Sequence, residues 1–251
     1  MKVKILNNLD NAIEIMFIAA RTCYSEEGPI CMADKVINTL AAEKLVKKVL
    51  ESGHESIAEH IHITFAIEGI SRACSHQLVR HRLCTFSQQS QRYVKINENL
   101  EQIKQLYLQT CSQDLSIKQE AMIKATEIVD KYFVRDNDKI GAIKYYFHLM
   151  DYLQAINDGC KAEDARMLLP NATKTNIVLT TNLRNLMHMS SLRLCTRAQK
   201  EIRLLFISML TELKQQNRFL SDLIKVQCDK LGYCPEHNCC GRTQTKMEFF
   251  N

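Results

Sequence analysis

Only seven glycines occur in the 251 residues, at positions 28, 53, 69, 141, 159, 232 and 241, and no two of them lie closer than nine residues. Walker-type phosphate loops and dinucleotide fingerprints need clustered glycines, because only then does the backbone approach a phosphate closely. Both are excluded. Any phosphate that this chain binds has to be held by side chains, and the charge pattern shows which ones are available.

Between Glu68 and Glu98 lie 29 residues without a carboxylate, where about three acids would be expected from the 28 in the chain. Arg72, Arg80, Arg82, Arg92 and Lys95 stand there among hydroxyls and amides. A second acid-free stretch, Ala165 to Lys200, carries Arg166, Lys174, Arg184, Arg193, Arg197 and Lys200. The remainder of the chain holds 22 basic against 28 acidic residues, so the overall +5 conceals a sharp polarity. If the two stretches meet, they line an anion-binding cleft in which focused positive potential concentrates a negatively charged ligand. Two basic surfaces that never meet are the plainer alternative, and charge alone does not separate the two.

At 46% hydrophobic and 24% charged the composition is ordinary, and no linker, repeat or low-complexity tract suggests a second domain. No apolar run approaches the roughly 18 residues of a membrane span, and Met1-Lys2-Val3-Lys4-Ile5 lacks the apolar core of a signal peptide. A cytoplasmic location is expected. The eleven cysteines are then expected to be thiols, metal ligands or small core residues rather than disulfides.

Periodicity predicts a strand over residues 2–6, then a helix carrying Leu9, Ile13, Met16, Phe17 and Ala20, and a helix from Ala41 to Ser52 that stops at Gly53. Ile61, Ile63, Phe65 and Ile67 alternate with His62, Thr64, Ala66 and Glu68, the period of a half-buried strand. The first basic stretch reads as a helix from Ser71 to about Arg82, with Gln77 and Arg80 on one side, followed by extended chain from Thr85 to Ile96 that points Ser90 and Arg92 the same way. Ser116 with Gln119 forms a capping-box pattern for a helix to Phe133, and another helix spans Gly141 to Asp158. A short helix around Ala162 to Leu169 carries Arg166 and stops at Pro170. Helical spacing resumes near Thr181 and again from Ala198 to Gln215, and Cys228 to Arg242 reads as a thiol-rich loop.

His54 and His60, with Glu55 and Glu59, invite a zinc reading, but a zinc-protease helix needs two histidines four residues apart and these are six apart. Cys228, Cys234, His237, Cys239 and Cys240 have metal-ligand residue types at irregular spacing, and no metal is expected. For any single arginine a solvated face is the plain reading, and it is the one taken for Arg72, Arg184 and Arg197 considered alone.

The run Arg80-His81-Arg82, seven residues, then Ser90-Gln91-Arg92-Tyr93 resembles the signature of the flavin-dependent thymidylate synthases. Further blocks follow in the family's order: Ala20 to Ser25, Gly53-His54-Glu55-Ser56 with Glu59-His60, Ala165-Arg166 with Leu169-Pro170, and Asn182-Leu183-Arg184 through His188 to Leu192-Arg193. Thr85 and Ser87 depart from the usual Ser and Asn.

The resemblance implies an α/β fold: one mixed α+β domain over residues 1–227, with a central, mostly antiparallel sheet flanked by long helices, and a Cys-rich tail over 228–251. It implies that FAD is held by His54, Ser56, Arg80, His81, Arg82, Gln88, Asn182, Leu183, Arg184 and His188. It implies that dUMP is held by Gln77, Leu78, Val79, Arg80, Gln88, Gln89, Ser90, Gln91, Arg92, Arg166 and Arg193. The implied reaction makes dTMP, with 5,10-methylenetetrahydrofolate as carbon donor and NADPH or NADH as reductant, in a homotetramer whose sites lie between subunits. No nucleic acid or membrane partner is implied.

Neither Cys84 nor Cys195 matches a catalytic position of the family, so activation of the pyrimidine falls to electrostatics, and Arg193 is the expected catalytic group. Three other readings stay open on the sequence: a basic nucleic-acid-binding module, a thiol or zinc regulatory protein, and a flavin oxidoreductase acting on another anionic nucleotide-like substrate. The first expects interleaved aromatics, and the first basic stretch has only Phe86 and Tyr93.

Overall fold

The computed structural model describes residues 1–135 and 141–250. Four strands, β1 (Lys2–Ile5), β2 (His62–Ser71), β3 (Cys84–Gln88) and β4 (Lys174–Asn182), form an antiparallel sheet in the order β1-β2-β4-β3. The alternation in β2 holds, with Ile63, Phe65 and Ile67 buried. β4 was not expected. It buries Thr175, Ile177, Leu179 and Thr181 while Asn176 and Val178 face outward, so two of its four inward residues are threonines. Threonine counts as polar in a hydropathy reading but suits a pleated surface.

By contact the chain divides into two compact units, one of residues 1–67, 78–87 and 178–251, the other of residues 68–77 and 88–177. In the first, helix Ala12–Thr22 packs on helix Thr39–Glu51, and helix Lys200–Gln216 packs on β1. Met16, Val46, Ile202, Leu205, Phe206 and Met209 are fully buried there, and such side chains each contribute about 1.5–3 kcal/mol relative to exposure. The Thr39–Glu51 helix ends where expected. Gly53 takes φ 87°, in the left-handed region, and its N–H donates to the Leu50 carbonyl, which turns the chain into the 3-10 segment Glu55–His60.

In the second unit, helices Leu100–Thr110, Leu115–Tyr132 and Ala142–Asn157 enclose Ile103, Val129, Phe133, Tyr146, Leu149 and Tyr152. The buried Tyr146 hydroxyl donates to the Ile103 carbonyl at 2.9 Å.

Several sequence expectations are corrected. The helix after β2 covers only Arg72–Leu78, so Gln77 and Arg80 do not share a helical face. Extended chain stops at Gln88, and Gln91 to Tyr93 form a turn. The cap of the Leu115–Tyr132 helix is Asp114, whose Oδ1 accepts from the N–H groups of Ser116 and Ile117; the Ser116 hydroxyl donates to that carboxylate instead of capping. The tail is not all loop. It holds short helices Gln227–Leu231 and Lys246–Phe250, and Cys234 bridges to Thr245. Among the described residues no helix is long and apolar enough to cross a membrane. Among the described residues no disulfide is formed, and the eleven cysteines are thiols.

Candidate active site

In the first unit, β4 ends at Asn182, and this residue begins helix Leu183–Arg193 as its cap, its Oδ1 accepting from Asn185 N–H at 2.9 Å. The buried Asn185 side chain then donates to the Leu83 carbonyl at 3.0 Å and to Cys84 Sγ at 3.1 Å. This ties the turn carrying Arg80, His81 and Arg82 to the helix carrying Arg184, His188 and Arg193. Asn185 was not anticipated, although a second amide three residues after a capping Asn was visible in the sequence.

An open cleft of about 840 Å³ lies here, lined by Arg82, Thr85, Asn182, Arg184 and His188 among others. Its other wall brings Glu55 and Glu59, which the acid-free reading could not foresee because they come from outside the two stretches. Arg184 pairs with both, at 3.5 Å to Glu55 and in close contact with Glu59. Its side chain stays about half exposed, in keeping with the solvated face expected of it alone. His54 and Ser56 are exposed beside Glu55 in sequence, and Arg80 is exposed. The side chain of Leu183 is buried, and its N–H donates to the Ile61 carbonyl at 2.8 Å; the Leu78 side chain is also buried. The Leu78 carbonyl accepts from His81 N–H at 3.2 Å.

Arg193 ends the same helix, and its Nε donates to His81 Nε2 at 3.0 Å. That bond requires a neutral imidazole with Nε2 as acceptor. Burial, then the charges of Arg193 and His188, hold His81 down at about 4 instead of 6.5. Burial also pushes the Cys84 thiol up, partly offset by Thr181 and Asn185, so Cys84 stays protonated.

The second unit gathers the other anion-binding candidates. Gln88 Nε2 donates to Ser75 Oγ at 3.0 Å and to Thr175 Oγ1 at 3.2 Å. Gln89 N–H donates to the Asn176 carbonyl at 2.9 Å. Ser90 Oγ accepts from Arg92 N–H at 3.2 Å, which shapes the turn and replaces the same-face strand arrangement. Arg92 Nε pairs with Glu163 Oε2 at 2.9 Å, and Arg166 Nε donates to the Glu163 carbonyl at 3.0 Å. Arg72 is half-buried and lies near enough to Arg166 that burial first, and that like charge second, push its guanidinium down. Arg197 likewise pairs with Glu236 at 3.5 Å. Gln77 and Gln91 are half-buried and Val79 is exposed.

Within each unit, then, residues of the first basic stretch meet residues of the second: His81 with Arg193 in one, Arg72 with Arg166 and Gln88 with Thr175 in the other. Among the described residues no group of three or more His, Cys, Asp or Glu side chains has metal-holding geometry.

Residues 4–217 match the family model described as thymidylate synthase complementing protein. A flavin-dependent thymidylate synthase of Pyrococcus furiosus is 35% identical over 258 residues, covering 99% of this chain and 97% of the relative. One from Clostridium tetani is 38% identical over 252 residues, covering 100% and 97%. Among solved structures, thymidylate synthase X of Helicobacter pylori, with FAD and dUMP, superposes with a TM-score of 0.70 at 23% identity over 90% of this chain and 100% of that one, a likeness of fold. The length and identity of the sequence matches, joined to a fold of the same kind, establish that this chain belongs to the flavin-dependent thymidylate synthase family.

Proposed function

We propose that the protein methylates dUMP to dTMP in the cytoplasm, with 5,10-methylenetetrahydrofolate as one-carbon donor and NADPH or NADH as the source of reducing equivalents through FAD. The observation that carries this reading is Arg193, fixed by a neutral His81 at 3.0 Å in the unit that also holds the large cleft. The relatives' shared name and the family match support it. Residues 1–227 are the catalytic domain in this reading, 228–251 an appended tail, and the working form is a homotetramer with sites assembled between subunits.

A cleft of about 840 Å³ lies within the range of cofactor sites, and its donors, Arg82, Arg184, Asn182 and His188, suit a diphosphate and a polar ring edge. FAD bound there supplies the hydride. Arg92 and Arg166 hold the dUMP phosphate, each charge-assisted hydrogen bond contributing about 1.5–3 kcal/mol, with Glu163 keeping both arginines in place beforehand. Gln88 and Ser90 orient the nucleotide. Arg193 stabilises negative charge that spreads over N3 and the carbonyl oxygens of the pyrimidine, which raises nucleophilicity at C5. A guanidinium does not give up its proton, so Arg193 is no base. Cys84, held protonated, is no nucleophile.

The test is Arg193→Ala in stopped flow. With the flavin reduced beforehand and oxygen excluded, dUMP and methylenetetrahydrofolate should reoxidise it more slowly by about 3 kcal/mol, roughly a hundredfold or more. Flavin reduction by NADPH should change little. Reoxidation at the wild-type rate with dTMP formed would remove Arg193 from the mechanism.

A further inference from the structure

The C-terminal tail folds back on the end of helix Leu183–Arg193 and closes a small pocket with it. Its lining includes Ser191, Thr196 and four thiols, Cys195, Cys228, Cys234 and Cys240. The chain reverses between Cys234 and Thr245: Cys234 N–H donates to the Gln244 carbonyl at 2.8 Å, so Cys234 and Cys240 face one space from a single short loop. Arg197 secures the loop from the helix side, through the Asn238 carbonyl at 3.1 Å and Glu236 at 3.5 Å.

The thiols differ in character. Cys240 is exposed, and a hydrogen bond from Thr196, backbone N–H groups and the Arg242 charge favour its thiolate. Cys234 is buried. A backbone bond at Glu236 favours its thiolate, but burial and the neighbouring Cys239 and Cys240 outweigh that and keep it protonated. Thr243 Oγ1 lines the same pocket and is buried without a hydrogen-bond partner. An oxygen added to a pocket sulfur would give that hydroxyl an acceptor. Among the described residues none of these thiols belongs to a group of three or more His, Cys, Asp or Glu side chains placed to hold an ion.

We infer that the tail is a peroxide-reactive dithiol site, in which Cys240 is the attacking thiol and Cys234 the resolving one. The Cys240 thiolate, its proton given to solvent, forms an S–O bond with the distal oxygen of a hydroperoxide, which keeps its own hydrogen; the O–O bond breaks, and the departing hydroxide or alkoxide takes that proton up from solvent and leaves as water or alcohol. The Cys234 sulfur then attacks the Cys240 sulfenic acid, an S–S bond forms, and the oxygen leaves as water with the Cys234 proton. Two thiols are oxidised by two electrons and one hydroperoxide is reduced. The resulting bridge closes the 234–240 loop against Thr196 and Arg197, directly after Arg193. The inference does not depend on the proposed reaction.

The experiment treats the reduced full-length protein with one equivalent of hydrogen peroxide at neutral pH, blocks remaining thiols with N-ethylmaleimide, and maps unreduced peptides by mass spectrometry. Cys240 should oxidise about tenfold or more faster than the exposed Cys111 and Cys160, and should appear bridged to Cys234. In Cys234→Ala, Cys240 should accumulate as a sulfenic acid that dimedone captures. In Cys240→Ser, with Cys234 left in place, Cys234 should stay reduced, which keeps the test usable if the first variant folds poorly. Oxidation of Cys240 no faster than Cys111, or a bridge from Cys240 to any other thiol, overturns the assignment.

Discussion

Acidification should weaken the fold through His81, and the size of the effect follows from its surroundings. In the folded chain its imidazole accepts from Arg193 and titrates at about 4, whereas an unfolded chain returns it to 6.5. Between those values the unfolded state binds the proton and the folded state does not, so stability rises with pH there. The contribution is fully present above about pH 6.5 and is lost as pH falls to about 4. A shift of that size corresponds to about 3 kcal/mol, and because the ring is only half-buried solvent screening reduces it to roughly 2 kcal/mol. His81→Gln keeps an acceptor oxygen near the Nε2 position and cannot titrate. Urea unfolding of the two proteins, followed by circular dichroism from neutral pH down to about pH 4.5, cancels the carboxylates that both share. The stability of the wild type relative to the variant should fall steadily across the acid range. A difference independent of pH, or an imidazole that titrates by NMR at or above its ordinary value, would refute the neutral His81 and with it the bond that aims Arg193.

Two further outcomes are expected from other parts of the molecule. Asp114→Ala should destabilise the protein by about 1 kcal/mol, seen as a lower thermal midpoint, because two N–H groups lose their acceptor; Ser116→Ala should cost less, and the reverse order would restore the capping-box reading. Cys84 should alkylate with iodoacetamide more slowly than the exposed Cys111 and Cys160, since burial keeps it a thiol; equal rates would show that it is accessible and ionised.

The sequence exposes what depends on regular spacing and hides what depends on a turn. β2 could be read from four alternating apolar residues, and the Ala142–Asn157 helix from its period and from Gly159 after it. β4 was missed because Thr175 and Thr181 occupy its inner face, where a hydropathy count sees polarity and the sheet sees two β-branched side chains. The helix that was read through to Arg82 stops at Leu78, since nothing local distinguishes Val79 and Arg80 from helix-forming neighbours. In the candidate site, the arginines stood out because charge is visible without a fold. Glu55, Glu59 and Glu163, whose carboxylates pair with Arg184 and Arg92, did not stand out as their partners, because carboxylates elsewhere in the chain can be assigned to an arginine only when the backbone brings them together.

Asn182 closes a strand, opens a helix and lines the large cleft with one side chain. Its freedom to vary is accordingly narrow. Serine or threonine would still cap the helix, but with a shorter side chain and no amide to present to the cleft. Aspartate would cap at least as well, yet it would add a third carboxylate to a cleft where Glu55 and Glu59 already neutralise Arg184. Any route by which this scaffold acquires a different ligand therefore runs more readily through Thr85, which lines the same cleft from an exposed position, than through the residue on which two elements and one surface converge.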